Sequence, residues 1–409
     1  MKTEVWFAPG RANLMGEHTD YNEGFVLPFA LAQGVTATAS PRDDGLLVLR
    51  SKQVPDEPAT VAVDSVAPGA VTGWAAYPAG VAWALRAAGH AVRGASVDVD
   101  SDLPVGAGVS SSAAIECSVA LALCSLSGVT VPRQDLAAIA RRAENEFVGA
   151  PTGIIDQSAT LLCREGHALL LDCGTLATTQ VPFLPAAAGV AALVIDTRVT
   201  HALVSGEYAA RRAECEAAAR LLGVPALGAV TELRVLDRLA DPLLRRRARH
   251  VITDSARARA IAGALLGPGV DGPGTGGSGA GGSGADGSGA DGLGADDSGA
   301  GGAAGNREIY AFIGKLLVEG HASLRDDFEV SWPEADVTVA TAVAAGAYGA
   351  KMIGGGFGGS VLALVPTGRA GTVLTDSVRA AVTEAFSARG WVPPEFLDAV
   401  PSPPARRLR

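Results

Sequence analysis

Residues 113–126, from Ala113-Ala114-Ile115 to Cys124-Ser125-Leu126, are apolar nearly all round. A helix with that pattern has no face for water, so it lies in the interior. A chain that contains it must cover it on every side. The stretches around it supply cover of both kinds. Residues 5–8, 25–39, 46–51, 60–63, 95–99, 168–172 and 191–196 are short β-branched or apolar runs that read as strands, with Gly34 breaking the second. Residues 74–88 carry apolar positions at helical spacing and stop at Gly89. Residues 133–148 and 207–222 read as further helices, the first stopped by Gly149 and Pro151. The C-terminal part runs helix, strand (350–353), glycine loop, strand (360–365), helix (367–389). Alternation of this kind predicts an α/β or α+β protein.

The helical patterns over 245–266 and 307–324 are separated by a tract of Gly, Ala, Ser and Asp, residues 267–305. Such a composition cannot bury a core, and the tract is expected to be disordered. We read it as a loop inserted within a domain, since long surface loops add little closure entropy; a linker between independent domains is the alternative. Deleting residues 272–302 should leave activity within a few-fold. The tract also distorts the charge. Its five aspartates (Asp271, Asp286, Asp291, Asp296, Asp297) supply half of the formal net charge of -10. The remainder is mildly acidic with no long run of one sign, so nothing points to nucleic acid. The five cysteines form no C-x-x-C pair, and buried reduced thiols are expected. No secretory leader or long apolar span is evident, so a cytoplasmic protein without membrane attachment is expected.

Three segments carry candidate chemistry. The first is Leu103-Pro104-Val105-Gly106-Ala107-Gly108-Val109-Ser110-Ser111-Ser112. Its glycines let backbone approach a ligand, and it opens a helix whose N-terminus suits phosphate. It is not a Walker loop, because G-x-x-x-x-G-K-[ST] occurs nowhere. The serines either bind phosphate or only cap the helix. The second is Lys351-Met352-Ile353-Gly354-Gly355-Gly356-Phe357-Gly358-Gly359-Ser360. It matches G-x-G-x-x-G formally. A strand-like run, Val361 to Val365, follows where a dinucleotide site needs a helix, so that reading is set aside. A glycine hairpin packed under another loop is expected. The third is Pro9-Gly10-Arg11-Ala12-Asn13-Leu14-Met15-Gly16-Glu17-His18-Thr19-Asp20-Tyr21-Asn22. Its charged and polar groups suit the hydroxyls of a sugar; a solvated loop is the other reading. One His beside Glu17 and Asp20 is thin chemistry for a metal.

Taken together and in order, these segments resemble the galactokinases of the GHMP kinase superfamily. Residues 9–22 match G-R-x-N-L-[IM]-G-E-H-x-D-Y-N. The resemblance runs from about Val5 onward, apart from the Gly-rich tract. It implies a two-domain GHMP kinase architecture, α/β and α+β. An N-terminal α/β domain (1–176) and a C-terminal α+β domain (177–409) would place the active site in the cleft between them. It implies transfer of the γ-phosphate of ATP to the anomeric hydroxyl of galactose, giving galactose 1-phosphate in galactose catabolism.

Site residues follow from the same resemblance. Asp156, in Gly149-Ala150-Pro151-Thr152-Gly153-Ile154-Ile155-Asp156-Gln157, would accept or orient the proton of that hydroxyl, with Arg11 beside it. Glu17, His18, Asp20, Gly153 and Tyr208 would bind the sugar; a helix residue half-buried at the surface is the alternative for Tyr208. Backbone N–H groups of Gly106, Ala107, Gly108, Val109, Ser110, Ser111 and Ser112 would cradle ATP. Ser112 and Glu144 would hold Mg²⁺, with Glu146 a neighbouring candidate. Thr152 and Met15 depart modestly from the family pattern and are expected not to touch the chemistry. Galactose and ATP are the expected partners of a monomer. A kinase for another sugar and a galactokinase-like sensor without turnover are the rival functions.

Overall fold

The structure, a computed structural model, describes residues 3–104, 106–200, 206–267, 301–367 and 373–409. β1 (Glu4–Asn13) leads through a polar turn to β2 (Phe25–Val26) and the long β3 (Pro28–Arg42). β4 (Leu46–Ser51), β5 (Ala59–Ala62), α1 (Ala76–Ala87), β6 (Gly94–Ser101) and α2 (Ser111–Leu126) follow. α3 (Arg133–Arg142) runs directly into a π-helical segment (Ala143–Val148) that ends at Gly149 in the left-handed region. Next come α4 (Ile155–Leu162), β7 (His167–Asp172), β8 (Thr178–Pro182) and β9 (Val190–Asp196). α5 (Gly206–Leu222), α6 (Pro242–Leu266), α7 (Gly301–Asp326) and α8 (Pro333–Ala344) make up the next helical stretch. β10 (Gly349–Ile353), β11 (Ser360–Pro366), α9 (Val373–Ser387), β12 (Glu395–Asp398) and β13 (Arg406–Arg407) close the series.

The strands form three sheets. The largest has the order β13-β1-β3-β6-β4-β5 and is antiparallel except where β4 meets β6. α2 lies on β1 and β3 and is covered in turn by α1, α3 and α4, which is the burial its all-apolar surface demands. The second sheet, β10-β11-β9-β12, is antiparallel throughout. Its two central strands, β9 and β11, are apolar on both faces over most of their length. Val190, Ala192, Val194, Leu362 and Leu364 enter one core with the first sheet. Leu193, Ile195, Val361, Ala363 and Val365 enter a second core with α5, α6, α8 and α9. Successive strand residues point to opposite faces, so one sheet serves both cores. The third sheet is the small β2-β7-β8.

Two local features aim residues at the site. The register of β1 against β3 shifts between Pro9 and Arg11, a bulge centred on Gly10. A Cβ on Gly10 would stand 2.6 Å from the Val109 carbonyl oxygen, so only glycine lets the strand pass this close to the 103–112 loop. α6 starts cleanly. Pro242 occupies its first turn, and the Asp241 carboxylate accepts from Leu243 N at 2.8 Å.

The structure extends the expected elements in several places. α4, β8, β12 and β13 span eight residues or fewer, too short for periodicity to mark them. α7 already begins at Gly301, inside the Gly-rich tract; the expectation of disorder for that tract falls otherwise on residues 268–300, outside the described residues. The expected domain boundary at 176/177 falls inside the β7–β8 hairpin.

Candidate active site

The polar turn after β1, the 106–112 loop, the start of α4, the first turn of α5 and the β10–β11 turn converge on one cleft. Arg11, Glu17, His18, Asp20, Gly106, Gly108, Val109, Ser110, Ser111, Ser112, Gly153, Asp156 and Tyr208 all line it. Sequence reasoning had proposed every one of these. Ala107 does not face it. Ala107 is buried behind the loop, where its carbonyl accepts from Ser360 Oγ at 2.6 Å. Glu144 also lies behind the lining and reaches it through Ser112.

The bulge at Gly10 turns Arg11 toward the cleft. Its N–H donates to the Val109 carbonyl at 3.1 Å. Its guanidinium donates from Nη1 to the Gly108 carbonyl at 2.5 Å and from Nε to Asp156 Oδ1 at 2.7 Å. Asp156 stands in the first turn of α4, where the helix dipole favours an anion. Both side chains are largely shielded, 6 % and 18 % exposed, so this ion pair is screened less than one on the surface.

Glu17, His18 and Asp20 occupy a strained turn. Gly16 has φ +97°, and a Cβ there would meet the Phe25 carbonyl oxygen at 2.3 Å. His18 itself has φ +59°, which is uncommon for a residue with a side chain. Its ring makes hydrogen bonds with Tyr21 Oη (2.9 Å) and the Gly355 carbonyl (3.1 Å). A carbonyl only accepts, so Nε2 carries the proton. Glu17 is paired with the fully buried Lys351 at 2.9 Å. Asp20 accepts from Tyr21 N (2.9 Å) and from Ile155 N at the start of α4 (3.3 Å). Burial, reinforced by the nearby Asp156 charge, pushes its carboxyl up to about 6. Gly153 is glycine because a Cβ there would fall 1.7 Å from Asp20 Oδ2. Tyr208 is buried rather than half-buried. It stands 5.1 Å from the His18 ring, and burial pushes its hydroxyl well above the ordinary value.

The 106–112 loop uses left-handed backbone at Gly106, Gly108 and Ser110. Ser110 makes no side-chain cap to α2. Its hydroxyl is buried without a hydrogen-bond partner among the described residues, and it lines the cleft. The capping reading of that serine is therefore not realised. The β10–β11 glycines pack under this loop: a Cβ on Gly354 would be 3.2 Å from the Gly108 carbonyl. β11 follows those glycines antiparallel to β10, which removes the dinucleotide reading.

Beneath the loop, Ser112 Oγ donates to Glu144 Oε1 at 2.9 Å. Glu144 is 1 % exposed, whereas Glu146 faces solvent and pairs with Arg142. The π turn thus sends Glu144 inward beneath Ser112 and Glu146 outward. Glu144 Oε2 accepts from Thr152 Oγ1 (2.6 Å) and from Gln157 Nε2 (2.9 Å). This corrects the expectation for Thr152, which touches the proposed metal ligand directly. Gln157 also bonds Glu116, and burial raises both carboxyl groups, that of Glu116 well above the usual range. No group of three or more His, Cys, Asp or Glu able to hold a metal occurs among the described residues. Glu116, Lys351, His250 and Asp254 belong to the site's support and were missed. Lys351 and Glu116 sit inside quoted or neighbouring strings, but nothing in the spacing says that they face this cleft.

Family models match the chain in three pieces. The galactokinase galactose-binding signature covers residues 2–41, the GHMP kinases N terminal domain 76–164, and the GHMP kinases C terminal domain 309–384. The galactokinase of Streptomyces coelicolor is 46% identical over 408 residues, 99% of this chain and 94% of that one. That of Mycobacterium tuberculosis is 42% identical over 94% of this chain and 95% of its own. A solved Lactococcus lactis galactokinase complexed with galactose is similar at a TM-score of 0.84 and 29% identity, covering 100% of this chain and 95% of that one. A mevalonate kinase structure at 0.59 and 13% identity shares the fold alone; it covers 100% of this chain and 99% of its own.

Proposed function

The chain belongs to the galactokinases of the GHMP kinase superfamily, and we propose that it transfers the γ-phosphate of ATP to the anomeric hydroxyl of galactose. The observation that carries this is the Arg11–Asp156 pair, which stands in one cleft between the sugar turn and the phosphate loop. Asp156 is the group that accepts or orients the proton of the attacking hydroxyl. Arg11 holds that carboxylate in place, and it offers positive charge where negative charge develops on oxygen. Because Arg11 also grips the Gly108 carbonyl, the proton acceptor and the phosphate loop move as one unit.

Glu17, His18, Asp20, Gly153 and Tyr208 form the sugar side. They supply a carboxylate braced by Lys351, a ring fixed in its tautomer, a second carboxylate, open space and a hydroxyl. The phosphate side is the backbone of residues 106–112 leading into α2. There the orphaned Ser110 hydroxyl and the helix N-terminus suit an anion. Phosphoryl transfer rests on positioning and charge neutralisation, and this loop does both. Ser112 and Glu144 fit Mg²⁺: their donors are oxygens, 2.9 Å apart, and a carboxylate raised by burial gains from a cation beside it. When bound, that ion would neutralise charge on the ATP phosphates. Thr152 and Gln157 fix the orientation of Glu144 toward it.

The same reading makes the chain a cytoplasmic monomer acting on small molecules, without a nucleic-acid or membrane partner. All five cysteines are free and buried, as suits a reducing compartment. No helix among the described residues is long and apolar enough to cross a membrane.

The test is ADP release from Mg-ATP with galactose, glucose, N-acetylgalactosamine or arabinose. Release stimulated chiefly by galactose supports the proposal. Stimulation chiefly by another sugar moves the specificity. Galactose binding without ADP release makes the protein a sensor.

A further inference from the structure

We propose that α6 sets the affinity for the sugar without touching it: Asp254 and His250 are positioning residues that lock the Gly16-Glu17 backbone carrying the sugar-binding side chains. Neither residue lines the cleft, and both are fully buried. Asp254 Oδ2 accepts from Gly16 N at 3.0 Å and from Glu17 N at 3.1 Å, while Arg257 Nη1 approaches Oδ1 at 3.3 Å. His250 Nε2 lies 3.0 Å from the Glu17 carbonyl oxygen. That oxygen can only accept, so Nε2 bears the proton, and Nδ1 is left to accept from Ser323 Oγ of α7 at 3.0 Å. One helix therefore holds the N–H and the C=O of the same residue, and Lys351 holds its side chain. The packing behind leaves no slack. A Cβ on Gly320 of α7 would stand 2.9 Å from Met15 Sδ and 3.3 Å from Asp254 Oδ1.

Geometry separates this function from the chemical step. Asp156 is on α4 and Arg11 on β1, and neither bonds α6. Releasing the Glu17 backbone lets Glu17 and His18 drift from the sugar while the reacting groups stay in place. The inference rests on the galactose reading above.

The experiment compares Asp254→Asn, His250→Leu and His250→Gln with wild type. It reads KM for galactose, KM for ATP, kcat, and galactose affinity by calorimetry without ATP. Glutamine places an N–H where Nε2 was, so it keeps the bond that leucine removes. The expected result is a rise of about tenfold or more in KM and Kd for galactose in Asp254→Asn and His250→Leu, the scale of losing a bond to a charged or buried group. KM for ATP and kcat should stay within about threefold, and His250→Gln should recover most of the affinity. Galactose affinity unchanged in folded Asp254→Asn and His250→Leu overturns the proposal. So does a fall in kcat or active fraction alone, which is what a purely structural role would give. If Asp254→Asn does not fold, the His250 pair decides. A wild-type protein that neither binds nor phosphorylates galactose would refute the functional reading itself, a separate outcome.

Discussion

At the scale of single residues, the site is a set of charges placed where few other atoms can stand. Asp156→Asn keeps shape and removes the charge of the proposed proton acceptor. Turnover should fall about 100-fold or more, with calorimetric galactose affinity retained. Gly153→Ala places a methyl 1.7 Å from Asp20 Oδ2, so Asp20 must leave its place. Displacements near 1 Å cost up to about 100-fold, and steady-state kinetics should show kcat/KM for galactose falling on that scale. Asp20 also makes a prediction about stability. Its carboxyl titrates at about 6 in the fold against an ordinary 3.8, so between those values the folded state binds more protons than the unfolded one. Stability contributed by Asp20 is present below about pH 4 and is lost as pH rises through about 6. In thermal melts of the sugar-free protein from pH 4 to 7, Asp20→Asn should flatten that decline. An unchanged slope would remove Asp20 as its source.

Most of the residues that line the cleft were legible because their types crowd into short strings: Arg11 to Asp20, Gly106 to Ser112, Gly153 to Asp156. Their supports were not. Asp254, His250 and Lys351 meet Glu17 across more than 230 positions of sequence, and nothing local marks a buried polar residue as the partner of a distant peptide. Thr152 was misjudged for a more local reason. Its bond to Glu144 exists only because the π turn folds Glu144 back over the 149–153 loop.

At the scale of elements, propensity and capping explain starts and stops, and tertiary contact explains function. α2 was legible from its apolar surface alone. The charged face of α6 shows nothing of its role behind the sugar turn. Asp241 offers a way to separate the stability of that helix from its positioning. Asp241→Ala removes the cap to Leu243 N and should cost about 1 kcal/mol in chemical denaturation. KM for galactose should be unchanged, since the cap lies a dozen residues from Asp254 on the same helix. A KM shift would mean that fraying at the start of α6 reaches the site.

At the scale of the molecule, the second sheet gives the two halves a common wall, with alternate residues of β9 in either core. That arrangement was not legible, because strands apolar on both faces read alike whatever they separate. The Gly-rich tract is testable at the same scale. With α7 starting at Gly301, removal of residues 272–300 spares the helix, and kcat/KM measured on the shortened chain should stay within about threefold of the full chain. A larger loss in folded protein would give the tract a part in catalysis.

The outer edge of β1 is paired near its start by β13, with Trp6 opposite Arg407 and Phe7 opposite Arg406. β1 also carries Arg11. During synthesis β1 must therefore wait, with that part of its edge bare, until β13 has been made. A bare edge is a template for any passing strand. Between translation of β1 and translation of β13 that edge is open to mispairing. Slow synthesis of the segment between them would lengthen that interval.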